Sequence, residues 1–376
     1  MAHILILGAG RQGRAAALDL LQDGDTITFV DRSESNLQIA LEMLNLPPER
    51  GKMADLSSPE ELAPFFDEAD GAVFAADYGL NEQLTRIAIA HKCHTVDYGG
   101  NHDVVNAQHA MDDDAKAAGV AIVPDCGLTP GLAGVLVAGG IKRLDNDAHR
   151  AEIRVGGLPL NPDGPLKYAL VFSVRGLINE YLEPSVVIDK GNVTTKPSLS
   201  GLESLSYENR QFEAFYTSGG VSTLPRSFGN VLKDLDCKTI RYPGHAAKIK
   251  FLFDLGFGDD SHTLSNGFSC TPRQMLEKML EHTLAHDPPD EVIMRVTVIG
   301  DGNRRIIYSM RDVYDDESGL TAMQRTTAWP GSRILKMLLD GTIPDRGVLY
   351  QETAVDADEL IRQLGERGIR INVTEK

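Results

Sequence analysis

The sequence predicts an α/β protein of two domains, a doubly wound parallel sheet followed by a mixed-sheet α/β domain. Three observations lead there. A buried strand, a glycine-rich turn and an amphipathic helix follow one another in "HILILGAGRQGRAAALDLL". Apolar runs and helical patterns then alternate as far as residue 125. From residue 126 the strand-like runs instead alternate apolar and polar residues. A length of 376 residues suits two domains better than one. The expected division is 1–125, completed by 335–376, with 126–334 as the second domain.

The glycine turn carries the first functional signal. Gly8, Gly10 and Gly13 have the G-x-G-x-x-G spacing. The first glycine permits a tight turn, the second lets a pyrophosphate approach the backbone, and the third lets helix and strand pack closely. The amides of Arg11 and Gln12 are then expected to face phosphate at a helix N-terminus. "TITFV" reads as the second strand and ends at Asp31, 18 residues after Gly13. A carboxylate there accepts both ribose hydroxyls and repels a 2′-phosphate, favouring NAD. Arg32 beside it could instead receive that phosphate, which keeps NADP open. The pattern is that of a Rossmann-type dinucleotide-binding domain.

"GKMADL", "GAVFAAD", "HTVDYGG" and "VAIVP" read as the following strands. Ligands bind outside the carboxyl ends of such strands. Asp55 and Leu56 are therefore expected to flank adenine, and Ala75 and Ala76 to line the dinucleotide. Asp97, Tyr98 and Gly99 are expected near the nicotinamide, with a cap or turn role for Asp97 as the plainer alternative. Asp125 closes the last strand, where the chain passes into the second domain. A ligand-facing role is expected for it, with the N-cap of the helix in "PGLAGVLVAGGIKRL" as the alternative. Cys126 could act as an acid but is read as packing.

In the second domain three stretches are polar between apolar flanks: residues 167–181, 213–228 and 238–252. Polar groups so placed cost free energy unless bonded to one another or to a ligand. Arg175, Arg226 and Arg241 each offer a planar fork to a carboxylate, or an internal ion pair. His245 could bind, orient or move a proton, or be a satisfied structural histidine. The tail from about residue 332, read as two helices and a final short strand, is expected to pack on the first domain.

Composition excludes several classes. Net charge is −17, with 54 acidic against 37 basic residues, and no long basic cluster marks a nucleic-acid binder. Four cysteines, Cys93, Cys126, Cys237 and Cys270, show no C-x-x-C spacing. His282 and His286 lack the H-E-x-x-H arrangement and read as a solvated helix face, so no metal is expected. No apolar run reaches the roughly 18 residues that span a bilayer. The opening "MAHILILGAG" reads as a strand rather than a leader. A soluble cytoplasmic protein without membrane or nucleic-acid partner is expected.

The ordered set "VDYGG", "PDCGLTPGLAG", "VGGLP", "FSVRGLINEYLEP", "EAFYTSGGVSTLPRSF" and "KTIRYPGHAAK", together with the glycine turn, resembles the saccharopine dehydrogenase family. Within it the lysine 6-dehydrogenases are the nearest likeness. The resemblance implies a Rossmann domain completed by the C-terminal tail, and a second domain that binds substrate and forms a homodimer. It also implies NAD(P)-dependent oxidation of an amino-acid C–N bond, in the lysine case deamination to a semialdehyde.

Hydride leaves such a carbon only when the nitrogen is neutral, so a base must take a proton from the ammonium. Asp125, Asp97 and His245 are the candidate catalytic groups. Arg241 is the first choice for the substrate carboxylate, and Thr223 and Tyr98 could add hydrogen bonds. Arg175 stands where lysine dehydrogenase-like sequences tend to carry an acid. An arginine there suits a second carboxylate, so a saccharopine-type substrate is the alternative. A non-catalytic NAD(P)-binding sensor is a further one. Sugar-dehydrogenase-type enzymes carry E-K-P after the fifth strand, where this chain reads "VDYGG".

Overall fold

The computed structural model describes residues 1–99, 101–171, 173–261, 264–265, 269–284 and 288–376. By its internal contacts the chain forms two compact units. The first comprises Met1–Arg143, Ser222–Ser227 and Gln324–Arg370; the second comprises Leu144–Val221, Phe228–Met323 and Ile371–Lys376.

The first unit holds β1 (His3–Leu7), β2 (Thr26–Asp31), β3 (Gly51–Met53), β4 (Gly71–Phe74), β5 (His94–Asp97) and β6 (Ala121–Val123). Apart from the partly exposed edge strand β3, these strands are short apolar runs, largely buried because helices cover such a sheet on both faces. They pair in parallel in the order β6-β5-β4-β1-β2-β3. The order reverses between β1 and β4, the place where doubly wound sheets bind ligands. The core gathers Leu5, Leu7, Val30, Phe66, Phe74 and Leu84 among others.

The helix Ala322–Leu339 returns to this unit. Its Trp329 indole N–H donates to the Ala15 carbonyl of helix Arg11–Gln22 at 3.0 Å. Buried Asp19 accepts from the Nε of Arg333 and of Arg367, both at 2.7 Å. A buried carboxylate without such partners would be strongly destabilising, so the ion pairs fix where the tail docks.

The second unit contains β7 (Ala148–Pro159), β8 (Ser185–Asp189), β9 (Asn192–Lys196), β10 (Glu203–Tyr207), β11 (Arg210–Tyr216) and β12 (Asp234–Arg241). It also contains the two-residue strands β13 (Leu264–Ser265) and β14 (Ser269–Cys270), then β15 (Asp290–Gly300) and β16 (Arg305–Val313). Near the C-terminus lie β17 (Gly347–Val348) and β18 (Ile371–Glu375). The large sheet runs β10-β11-β12-β7-β15-β16-β18, with β8 and β9 branching from β12. It is mixed: β12 and β7 are parallel and the other pairs antiparallel. Helices Val174–Leu182, His245–Asp254 and Pro272–Thr283 pack on it through Leu177, Ile178, Tyr181, Ile249 and Leu276.

Three expectations need correction. The first unit runs past residue 125 to Arg143, because helix Leu132–Arg143 packs on helices Gln351–Ala354 and Ala357–Glu366. The pairs Lys142–Asp356 and Arg143–Asp358 add to that contact. The tail divides: β17 extends the parallel sheet beside β6, whereas β18 pairs antiparallel with β16 of the second sheet. An edge strand with free backbone groups recruits such a terminal strand. The first unit also takes six residues, Ser222–Ser227, from the middle of the chain. His282 is exposed on its helix, and His286 lies outside the described residues. No helix among the described residues is long and apolar enough to cross a membrane.

Candidate active site

The glycine turn leaves β1 with Gly8 at φ 106°, where a Cβ would lie 2.7 Å from the Ala75 carbonyl oxygen. A Cβ on Gly13 would meet the Gly8 carbonyl oxygen at 1.9 Å, so helix and turn close only on hydrogen. Gly10, the N-cap of helix Arg11–Gln22, has no side-chain cap and nothing within 4 Å of its Cβ position. Open space over uncapped helical amides is what a pyrophosphate requires. The side-chain oxygen of Gln12 beside it is buried without a partner. At the end of β2 the Asp31 carboxylate accepts from the amides of Ala9 and Ser33, both at 2.8 Å. Each oxygen keeps a second lone pair for a ribose hydroxyl. These residues fit a dinucleotide.

Two carboxylates meet at the ends of β5 and β6. Asp97 Oδ1 accepts from the amides of Gly99 (2.7 Å) and Asp125 (3.1 Å), and its Oδ2 accepts from the Gln108 side chain at 2.8 Å. Burial pushes Asp97 upward, and those three donors oppose the shift. Asp125 is 2% exposed and has φ 59°. Its Oδ2 accepts from the Ser222 hydroxyl, while its Oδ1 is buried without a partner. Burial, then the neighbouring Asp97 and Glu352, push Asp125 up to about 7 against the Ser222 bond. A carboxyl poised near neutrality with one unused oxygen is suited to accept a proton.

The loop after Asp125 explains the "PDCGLTPGLAG" motif. A Cβ on Gly131 would lie 2.2 Å from the Gly127 carbonyl oxygen, and φ there is 124°. Gly134 brings helix Leu132–Arg143 against Glu352, whose Cβ lies 3.7 Å from the position of a Gly134 Cβ. Glu352 is buried and accepts from Ser227 (2.5 Å) and Thr223 (3.1 Å).

In the second unit a separate polar cluster surrounds Arg241, which is 3% exposed. Its Nε donates to the Tyr181 hydroxyl at 3.0 Å and its guanidinium lies 4.7 Å from the Tyr168 ring centroid. Tyr181 in turn contacts His245 Nε2 at 3.0 Å, and His245 Nδ1 lies 3.0 Å from the Leu166 carbonyl. That carbonyl can only accept, so Nδ1 carries the proton and the tyrosine donates to Nε2. Burial works against the Arg241 charge, but Tyr181, Tyr168 and Glu180 hold it firmly protonated. Half-buried Glu180 is pushed up to about 7 by burial, with Arg241 opposing. Among the described residues no carboxylate forms an ion pair with Arg241, an expensive state for a buried guanidinium unless a ligand supplies one.

The sequence signature described as saccharopine dehydrogenase C-terminal domain matches residues 127–369, and that of the saccharopine dehydrogenase NADP binding domain matches residues 4–123. The chain belongs to the saccharopine dehydrogenase family.

Relatives of this family lie at low identity. The chain is 24% identical to the saccharopine dehydrogenase [NADP(+), L-glutamate-forming] of Pyricularia oryzae, covering 97% of this chain and 96% of that protein. It is 21% identical to the mitochondrial alpha-aminoadipic semialdehyde synthase of Rattus norvegicus over 98% of this chain. It spans about half the length of the mammalian synthases it matches. The structure of apo saccharopine dehydrogenase (L-Glu forming) from Saccharomyces cerevisiae matches with TM-score 0.81 at 18% identity, each chain fully covered. Homospermidine synthase from Legionella pneumophila, solved with NAD, matches with TM-score 0.67 at 10% identity, over all of this chain and 91% of that one. Both likenesses show the fold. The first unit of this saccharopine dehydrogenase family member binds NAD(P).

The structure bonds Asp125 to Asp97 and Thr223 to Glu352 in that NAD(P)-binding unit, and places Ala75 and Ala76 against Gly8. It disagrees with other readings. Asp125 is not the cap of helix Leu132–Arg143, which begins seven residues later; its backbone instead turns through the left-handed region. His245 is 1% exposed with both ring nitrogens satisfied, and burial beside Arg241 lowers it to about 3, which keeps the imidazole neutral near neutral pH. Arg175 is exposed on its helix, whose buried face is Val174, Leu177, Ile178 and Tyr181. The Tyr98 hydroxyl donates to the Ala328 carbonyl at 3.2 Å, leaving only lone pairs for a substrate.

Leu56 packs in the core, and exposed Asp55 binds the amide and hydroxyl of Ser57 in its own turn. Arg32 is exposed, and exposed Arg226 donates to the Tyr350 hydroxyl at 3.0 Å. The Cys126 thiol lies 3.2 Å from the Val123 carbonyl, and burial with three acidic neighbours raises it well above the usual range, so it packs. Sequence reading missed Ser222, one residue from the Thr223 it singled out, and Glu352, which sits in a tail segment without a local signal. Among the described residues no group of three or more histidine, cysteine or acidic side chains could hold a metal ion.

Proposed function

We propose that this protein is an NAD(P)-dependent oxidoreductase that oxidises a C–N bond of an amino acid. The first reading is lysine 6-dehydrogenase-like deamination to a semialdehyde. The observation that carries the proposal is Asp125: a buried carboxyl beside Asp97, held near neutrality, with an unpartnered oxygen at the end of a strand of the NAD(P)-binding sheet.

Bound NAD(P)+ supplies the hydride acceptor. Asp125 Oδ1 takes a proton from the substrate ammonium, which frees the nitrogen lone pair to form C=N as the carbon gives up hydride. Asp97 holds the Asp125 backbone in register, and the carboxylates of Asp97 and Glu352 favour the cationic iminium product over a neutral one. Water then adds to the iminium carbon, and loss of ammonia leaves the aldehyde. Arg241, with its rigid planar fork, is the group proposed for a substrate carboxylate.

Asp31 favours NAD as the first cofactor, since a 2′-phosphate would lie against a carboxylate. The name of the matching domain and of the Pyricularia relative supports NADP as the second reading, with Arg32 as its partner. A saccharopine-type, multi-carboxylate substrate is the alternative that the names of the relatives favour. The exposure of Arg175 weakens the case for that residue as the extra clamp.

The test is reduced-cofactor absorbance with lysine, ornithine and saccharopine at mildly alkaline pH, with NAD and with NADP. Turnover with lysine supports the first reading. Turnover only with saccharopine supports the second, and cofactor binding without turnover leaves a sensor.

A further inference from the structure

We propose that Glu352 is a positioning residue for Asp125, acting through the adjacent hydroxyls of Ser222 and Thr223. The inference rests on the reading of Asp125 as the proton acceptor.

Ser222 and Thr223 are neighbours in sequence, yet their hydroxyls serve different acids. Ser222 donates to Asp125 Oδ2, and Thr223 donates to Glu352 Oε2 at 3.1 Å. Ser227 donates to the other oxygen of Glu352 at 2.5 Å. The segment Ser222–Ser227 is therefore fastened to Glu352 at two points, with its first residue on Asp125. Its neighbours in the chain, Val221 and Phe228, belong to the second unit, whereas Glu352 belongs to the first.

The backbone carries a matching sign. Ser222 has φ 39° and Asp125 has φ 59°. A non-glycine residue in the left-handed region is strained when its surroundings impose it, and such residues concentrate at functional sites. Here two partners of one hydrogen bond are both so held, and the residue after Ser222 is bonded to Glu352. The consequence is directional. With Oδ2 already accepting from Ser222, the buried and unpartnered Oδ1 of Asp125 is the oxygen with both lone pairs open to a proton.

The titratable groups around Asp125 are Asp97 at the end of β5, Cys126 next in the chain, Tyr98 and Glu352 on helix Gln351–Ala354. All are acids, a thiol or a phenol. Glu352 therefore also acts by charge, raising Asp125 when ionised.

The test is carbon NMR of protein labelled at the aspartate carboxyl carbons, with the Asp125 signal assigned by its loss in Asp125→Asn. The midpoint of its pH titration is then read in three proteins. Glu352→Gln, which keeps an acceptor and removes the charge, is expected to move the wild-type midpoint down by about one unit. Thr223→Val unhooks the strap, loosens Ser222 and is expected to move the midpoint up. Midpoints unchanged in both variants, with or without a fall in thermal stability, overturn the proposal, because a merely structural Glu352 would alter only stability. No substrate is needed for this readout. Shifted midpoints in a protein that turns over no amino acid would refute the catalytic reading and leave the coupling standing.

Discussion

The peptide N–H of Asp125 donates to Oδ1 of Asp97 across 28 residues of sequence, at 3.1 Å. This bond joins the carboxyl ends of two neighbouring parallel strands. It leaves the Asp125 side chain free to be held elsewhere, by Ser222, with one oxygen unused. Asp97 is thus an organiser that accepts from Gly99, Asp125 and Gln108, and Asp125 is the acid with a whole oxygen to spare.

The pH dependence of turnover should report Asp125. The base must be ionised, and its carboxyl is pushed up to about 7. In the oxidative direction kcat/KM is expected to rise with pH through about 7 and then level off. A profile flat from pH 5 to 9 would remove Asp125 from the proton transfer.

Gly99→Ala should be more damaging than its size suggests. A Cβ there falls 1.7 Å from Asp125 Oδ1, at a position with φ 69°. The carboxyl must swing away, so kcat is expected to fall by about 10²-fold or more, the usual worth of a general base. Cofactor affinity, measured by fluorescence titration, should stay within about twofold, since the glycine turn at Gly8 is untouched.

Arg241→Lys keeps a cation and loses the fork. It is expected to raise KM by about 10–100-fold, about 1.4–2.8 kcal/mol, with a smaller change in kcat. Steady-state kinetics with an amino acid and with its decarboxylated amine would show whether the loss belongs to the carboxylate. An equal loss for both would make the arginine structural.

Asp31→Ser should shift cofactor choice. The acceptor for the ribose diol is lost and the repulsion of a 2′-phosphate is lifted, moving the NADP to NAD preference by roughly tenfold or more. The measurement is the ratio of kcat/KM for the two cofactors. The same change also removes the partner of the Ala9 and Ser33 amides, so thermal stability should fall slightly.

Much of this was legible in the sequence because it depends on local chemistry. The glycine turn, the strand-end acids Asp31, Asp97 and Asp125, and the parallel order follow from short-range patterns and from the rule that ligands sit at strand carboxyl ends. What was illegible depends on tertiary placement. Glu352 lies in an ordinary helical tail, and only the return of that tail to the first unit brings it to Thr223. His245 had the composition of a catalytic residue, but the carbonyl of Leu166 and the hydroxyl of Tyr181 consume both its nitrogens. Arg175 and Arg241 looked alike as sequence, and burial alone separates them. The last strand could not be assigned from its own residues, since either sheet offers it an edge.

The most direct measurement is the initial rate of reduced-cofactor formation by wild type and Asp125→Asn with the same amino acid, alongside cofactor affinity. If Asp125 accepts the proton, the variant loses about 10²–10⁴-fold in kcat and binds the cofactor as wild type does. Turnover by Asp125→Asn at the wild-type rate would contradict the account and return Asp125 to a turn residue.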